Sequence, residues 1–137
     1  MADLSVFDLT GRKALVTGAG KGIGKGIALS LARAGADVAV CARTLPDVEK
    51  VAQELAGFGV KALPLKCDVR VPEQVEATMQ QTVDRLGGLD ILVNNAGGSF
   101  RANFMDLSLG GWDAVIKENL HTAFICCKEA GKIMLKA

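Results

Sequence analysis

The sequence predicts an α/β fold, a doubly wound parallel sheet whose four strands alternate with four helices. Three observations carry that expectation. Short apolar runs alternate with longer segments of helical period along the whole chain. The segments between the runs suit crossover helices, which parallel strands require, on both faces of the sheet. A glycine-rich turn, from Gly18 to Gly24, joins the first apolar run to the first helical segment.

The elements follow in order. Residues 13–17 (Lys-Ala-Leu-Val-Thr) read as a buried strand, and a helix follows over 22–35 with Ile23, Ile27 and Leu31 on one face. Residues 37–42 form the second strand. The second helix, about 46–56, carries Val48, Val51, Ala52 and Leu55 at i, i+3, i+4 and i+7, and Gly57 and Gly59 stop it. A third strand lies near 60–66. Pro72 suits the first turn of a third helix over 72–86, whose stripe is Val75, Met79, Val83 and Leu86, with Gly87-Gly88 ending it. The fourth strand is 90–93. After a loop over 94–108, a last helix starts near 109 and presents Trp112, Ile116, Leu120 and Phe124 on one side. The expected strand order is 3-2-1-4, which leaves the apolar fourth strand as an open edge.

Composition sets the class. The chain has 137 residues and reads as one domain, with no linker, solenoid repeat or low-complexity tract. Half of it is hydrophobic and 23% is charged, enough for a core and unlike a disordered chain. Lys and Arg total 16 against 15 Asp and Glu, a net charge of +1, so no nucleic-acid footprint or polybasic membrane surface is expected. No apolar stretch is long enough for a transmembrane helix. The opening Met1-Ala2-Asp3-Leu4 lacks the basic and apolar regions of a secretory signal, so the expected location is the cytoplasm. There Cys41, Cys67, Cys126 and Cys127 read as small core residues rather than disulfide partners. With one histidine, His121, and no Cys-x-x-Cys, no metal site is expected.

The most informative stretch is Thr17-Gly18-Ala19-Gly20-Lys21-Gly22-Ile23-Gly24. Glycine lets the backbone turn sharply and lets a phosphate approach without a Cβ in the way. The helix that starts there offers unpaired N–H groups and a positive dipole end to an anion, the physical requirements of a dinucleotide pyrophosphate site. The P-loop spacing fails, because Ala19 stands five before Gly24 and Gly26 replaces the hydroxyl residue. Gly-x-Gly-x-x-Gly also fails, because Ile23 occupies its third glycine. The spacing that fits is Thr-Gly-x-x-x-Gly-x-Gly, with Gly18, Gly22 and Gly24.

With that loop the sequence resembles the short-chain dehydrogenase/reductase family, which implies a Rossmann fold. Other matches fall at the corresponding places. Asn94-Asn95-Ala96-Gly97 follows the fourth strand, Cys67-Asp68-Val69 closes the third, and Asn119 stands within Glu-Asn-Leu in the last helix. The likeness spans essentially all 137 residues, and in general look it is similar to 3-oxoacyl-carrier-protein reductases and related ketone or sugar reductases. The resemblance implies hydride transfer between a nicotinamide cofactor and a small carbonyl or alcohol substrate. It implies that Gly18, Gly20, Lys21, Gly22, Ile23 and Gly24 hold the pyrophosphate and nicotinamide side. Asp68 and Val69 would contact adenine, Asn95, Ala96 and Gly97 the ribose region, and Asn119 a water of the proton relay. It also implies a homo-oligomer, a dimer or tetramer, assembled largely through the fourth and fifth helices.

An acid at the end of the second strand would bind the ribose diol and repel a 2′-phosphate. The residues there are Ala42-Arg43-Thr44, so the acid is absent and a guanidinium follows. Lys21 adds a cation inside the glycine loop. NADP is therefore expected over NAD, with Arg43 and Thr44 at the 2′-phosphate.

The family's acid/base is a Tyr whose pKa is lowered by a Lys four residues on, with a Ser orienting the substrate oxygen. This chain has no tyrosine. Of the catalytic set only Asn119 is carried over. His121 points away from Asn119 on a helix, and Ser99 reads as a turn residue. The expectation is an N-terminal, cofactor-binding half of a longer enzyme. The alternatives are a non-catalytic NADP(H)-binding module, favoured by the missing Tyr, and a structural paralogue that binds no cofactor.

Overall fold

The computed structural model describes residues 2–137. The four apolar runs form strands β1 (Lys13–Thr17), β2 (Asp37–Ala42), β3 (Ala62–Lys66) and β4 (Ile91–Val93). All pair in parallel, in the order β3-β2-β1-β4. Helices α1 (Gly22–Arg33), α2 (Leu45–Ala56) and α3 (Pro72–Leu86) cross between them. The last helix, α4, begins as Leu109–Ile116, widens into a π turn at Lys117–His121 and continues as Thr122–Lys136. The fold is thus the doubly wound sheet its sequence predicts, with α1 shorter by two residues and β3 starting two residues later.

Alternation along the strands explains the two-sided core. Ala14, Val16, Val38 and Val40 face one side, where Ala28, Ala32, Val48, Val51 and Leu55 of α1 and α2 cover them. Leu15, Ala39, Cys41, Leu63 and Leu65 face the other, beneath Val75 and Met79 of α3 and Cys126 and Ala130 of α4. Local chemistry fixes the helix ends. Proline stands in the first turn of α2 and of α3. Gly87 closes α3 in the left-handed conformation at φ 89°. The Ser108 hydroxyl accepts from the Gly111 N–H at 3.0 Å and starts α4.

Three helix faces differ in part from expectation. The α1 stripe of Ile23, Ile27 and Leu31 enters the core only in part: Ile27 and Leu31 pack half-buried against it, Ile23 is 78% exposed, and the fully buried residues are Gly24, Ala28 and Ala32. Small side chains bring the helix close to the sheet, and that close approach selects the face over hydrophobicity alone. On α4, Trp112, Leu120 and Phe124 are exposed, and Thr122, Cys126 and Ala130 are buried instead. On α3, Thr78 and Thr82 are buried in place of part of the stripe, Thr82 donating its hydroxyl to the Thr78 carbonyl at 2.8 Å. Cys41, Cys67 and Cys126 are core residues as expected, whereas Cys127 is exposed.

The close approach of α1 yields the first expected outcome. Ala28→Leu overpacks the helix–sheet contact and costs about 1–3 kcal/mol or more. Ile23→Ala stays within about 0.5 kcal/mol. Urea midpoints of the two variants check both values.

Candidate functional site

In a parallel sheet the loops after the strands gather at the carboxyl ends of those strands. Here they enclose a cleft of about 320 Å³. The β1–α1 loop, the ends of β2 and β3 and the β4 loop each contribute to its wall.

The β1–α1 loop needs its glycines for stated reasons. Gly18 sits at φ +61°, and a Cβ there would lie 2.8 Å from the Ala96 Cα. A Cβ on Gly24 would lie 2.5 Å from the Gly18 carbonyl oxygen and against the Asn95 amide nitrogen. Gly20 packs against Asp47 and lines the cleft. Lys21 is the residue before α1, in extended backbone, and its side chain makes no cap. No acid stands in the first turn of α1, so the N–H groups of Gly22, Ile23 and Gly24 and the positive helix end remain open to an anion. Gly22 adopts φ +59°, and the exposed Ile23 side chain projects away from the core.

One hydroxyl ties this loop to the next. Thr17 Oγ1 accepts the Asn95 N–H at 3.1 Å and the Ala96 N–H at 3.0 Å. The Asn95 side-chain amide in turn donates to the Thr17 carbonyl at 3.1 Å and the Gly18 carbonyl at 3.0 Å. Both amide hydrogens of Asn95 are therefore committed to the loop backbone. Asn95, Ala96 and Gly97 line the cleft together with Gly98.

Lys21, Arg43 and Thr44 also line the cleft, with Thr44 preceding α2. Among the described residues, no acid lies within ion-pair distance of Lys21 or Arg43. Two unpaired cations beside an open helix end form a local anion site.

Asp68 and Val69 line the cleft at the end of β3. Asp68 is held by Arg70: Oδ1 accepts the Arg70 N–H and Nε–H, both at 3.0 Å, and Oδ2 accepts Nη2–H at 2.8 Å. Those hydrogen bonds, against a burial effect of opposite sign, hold the Asp68 carboxyl down to about 2. One acceptor site on Oδ2 remains for another donor. Arg70 also reaches Glu118 at 3.6 Å, linking the end of β3 to the π turn of α4.

Asn119 lies in that π turn. Its amide donates to the Gly98 carbonyl at 2.7 Å and the Val115 carbonyl at 2.8 Å, and its oxygen closes on Gly97, where no Cβ would fit. Asn119 thus holds the β4 loop against the helix and stands behind the cleft wall. His121 and Ser99 are exposed, outside the cleft lining. The structure brings most of the residues singled out in the sequence to one cleft. Asp47, Arg70, Glu118 and Gly98 were not singled out. Arg70, two residues after Asp68, was the most legible of them, because an i+2 guanidinium can fold back on a carboxylate.

Two outcomes follow from these contacts. Asp68 has its folded pKa lowered from 3.8 to about 2, so its contribution to stability is fully present above pH 3.8 and lost as pH falls through 2. Asp68→Asn should flatten the pH dependence of stability in that window, read from denaturation midpoints. Thr17→Val leaves two loop N–H groups without their acceptor and should cost about 1–3 kcal/mol for each that stays buried. Chemical denaturation measures it.

Comparison with known proteins agrees with this geometry. Residues 12–137 match the family model described as short chain dehydrogenase. The 3-oxoacyl-[acyl-carrier-protein] reductase of Synechocystis is 38% identical over 129 residues, covering 93% of this chain and 52% of that protein. The crystal structure of a short-chain type dehydrogenase/reductase from Mycobacterium marinum is 43% identical with a TM-score of 0.94, covering 99% of this chain and 55% of that one. A 7α-hydroxysteroid dehydrogenase complexed with NADH and 7-oxo glycochenodeoxycholic acid is 32% identical with a TM-score of 0.93, covering 99% of this chain and 53% of that one. The chain spans about half the length of the curated relatives it matches. Among the described residues no helix is long and apolar enough to cross a membrane. The match over residues 12–137, the parallel sheet and the glycine turn at its carboxyl end agree, and the chain belongs to the short-chain dehydrogenase family.

Proposed function

We propose that residues 1–137 are the cofactor-binding half of an NADP-dependent oxidoreductase acting on a small carbonyl or alcohol substrate. The observation that carries this reading is the open amino end of α1 beside Lys21 and Arg43, neither of which has an acidic partner among the described residues. The cleft fits a dinucleotide: its glycine loop lies tight against the β4 loop with Gly18 and Gly20 in the wall, and the end of β2 presents Arg43 rather than an acid.

Bound NADP(H) would supply the hydride. The residues of this chain bind and orient. Gly18, Gly20, Gly22 and Gly24 keep the loop clear, and the first N–H groups of α1, including that of Ile23, face the pyrophosphate. Arg43, Thr44 and Lys21 hold the 2′-phosphate by charge and hydrogen bonds. Asp68 offers its free acceptor site to the adenine amino group, beside Val69. Asn95, Ala96 and Gly97 form the ribose wall. Asn119 fixes the β4 loop behind that wall and serves the proton relay of the full enzyme. The exposed Trp112, Leu120 and Phe124 of α4 support a homo-oligomer.

A second reading, an NADP(H)-binding module without turnover, is favoured by the absence of tyrosine from the 137 residues. Absorbance at the reduced-nicotinamide band with a panel of ketones separates the two: binding without oxidation of NADPH by the full chain as its gene encodes it supports the module.

Titration with NADP⁺ and NAD⁺ tests the cofactor. The protein should bind NADP⁺ more tightly, and Arg43→Asp should weaken NADP⁺ by about 10- to 100-fold, the loss of one charge-assisted contact, while sparing NAD⁺. An unchanged ratio of the two dissociation constants would falsify the preference.

A further inference from the structure

We propose that Asp47 is a specificity-determining residue of the cleft, whose carboxylate weakens binding of a 2′-phosphate relative to a bare 2′-hydroxyl. The inference rests on reading the cleft as a dinucleotide site.

Asp47 stands in the first turn of α2, where its N–H donates to the Thr44 carbonyl at 3.2 Å. Its side chain packs on the glycine loop: a Cβ on Gly20 would lie 3.1 Å from the Asp47 Cβ and 3.9 Å from Oδ2. Half-buried, it lines the same wall as Lys21, Arg43 and Thr44. No cation lies within ion-pair distance of it among the described residues. The 2′-phosphate subsite therefore holds two unpaired cations and one unpaired anion. The other acids of the cleft, Asp68 and Glu118, are engaged by Arg70.

The selectivity follows from ligand charge. A phosphate monoester carries close to two negative charges at neutral pH, whereas a hydroxyl carries none. A fixed carboxylate a few ångströms off repels the first and leaves the second nearly untouched. The same carboxylate is favourable to α2 itself, because a negative side chain at a helix amino end complements the dipole. Folding retains the charge while phosphate binding opposes it, and the two cations leave a moderated preference.

The test compares NADP⁺ and NAD⁺ affinities of the full chain and of Asp47→Asn, which keeps shape and removes charge. The ratio of the NAD⁺ to the NADP⁺ dissociation constant should rise about three- to tenfold at low salt. The rise should shrink at about 1 M salt, where the screening length falls to ~3 Å. Asp47→Ser should shift the ratio in the same direction. A general loss of fold weakens both nucleotides together and leaves the ratio in place. An unchanged or falling ratio in both variants overturns the proposal. If it does so while Arg43→Asp still moves the ratio, only the role of Asp47 fails. If the unaltered protein binds neither nucleotide, the dinucleotide reading and this inference fail together.

Discussion

The Thr17 hydroxyl is the contact on which the cleft depends. It takes two N–H groups from the β4 loop while the Asn95 amide takes two carbonyls from the β1–α1 loop. Two loops far apart in sequence are thus joined by four hydrogen bonds at the middle of the sheet. A glycine-rich loop has little stiffness of its own, since glycine loses the most backbone freedom on ordering. The clamp provides that order from outside. It also explains why Gly18 and Gly24 must lack side chains: the amide of Asn95 and the backbone of Ala96 occupy the space where a Cβ would go.

The same economy of space governs the helix behind the loop. Gly24, Ala28 and Ala32 form the buried face of α1, so the helix lies close to β1 and β2, and Lys21, the residue before its first turn, lines the cleft. A helix held off by leucines would carry its amino end away from the strand ends. Helix α4 solves a different problem. Its π turn coincides with Glu118 and Asn119, whose side chains reach Arg70, Gly98 and the Val115 carbonyl. A wide turn frees carbonyls from the helical ladder, and here a side-chain amide takes one of them.

Much of this was legible in the sequence because it follows from periodicity and glycine spacing. The strand order, the glycine turn and the meeting of Arg43, Asp68 and Asn95 at one end all come from local patterns repeated along the chain. The α1 and α4 faces were legible only in part, since a hydrophobic stripe says which side chains prefer burial, not how close a helix must come. Ile23 shows the difference: it is apolar, at helical spacing, and exposed. Asn119 shows another. Its residue type and place were recognisable, but its commitment to Gly98 and Val115 depends on a π turn that no propensity marks. Asp47 carries no motif in the sequence, and only packing against Gly20 sets it beside the cations.

Charge in the cleft follows from pairing rather than from composition. The chain as a whole carries +1, which points to no anionic partner. Around the cleft three cations and three acids are present: Lys21, Arg43 and Arg70 against Asp47, Asp68 and Glu118. Arg70 binds Asp68 through two nitrogens of its guanidinium and approaches Glu118 with a third, so one cation is shared between two acids. With one cation against two acids, the wall toward β3 and α4 keeps a net negative charge and favours the hydrogen-bond donors of a base over a phosphate. The unpaired set gathers toward β2 and the amino end of α1, where two cations and a helix dipole outweigh one carboxylate. A nearly neutral chain thus has an anion-attracting end and an anion-repelling end within a single cleft. The sign of each end is set by pairing: Arg70 is shared between two carboxylates, whereas Arg43 has none within ion-pair distance among the described residues, although its charge also helps to hold the Asp68 carboxyl down.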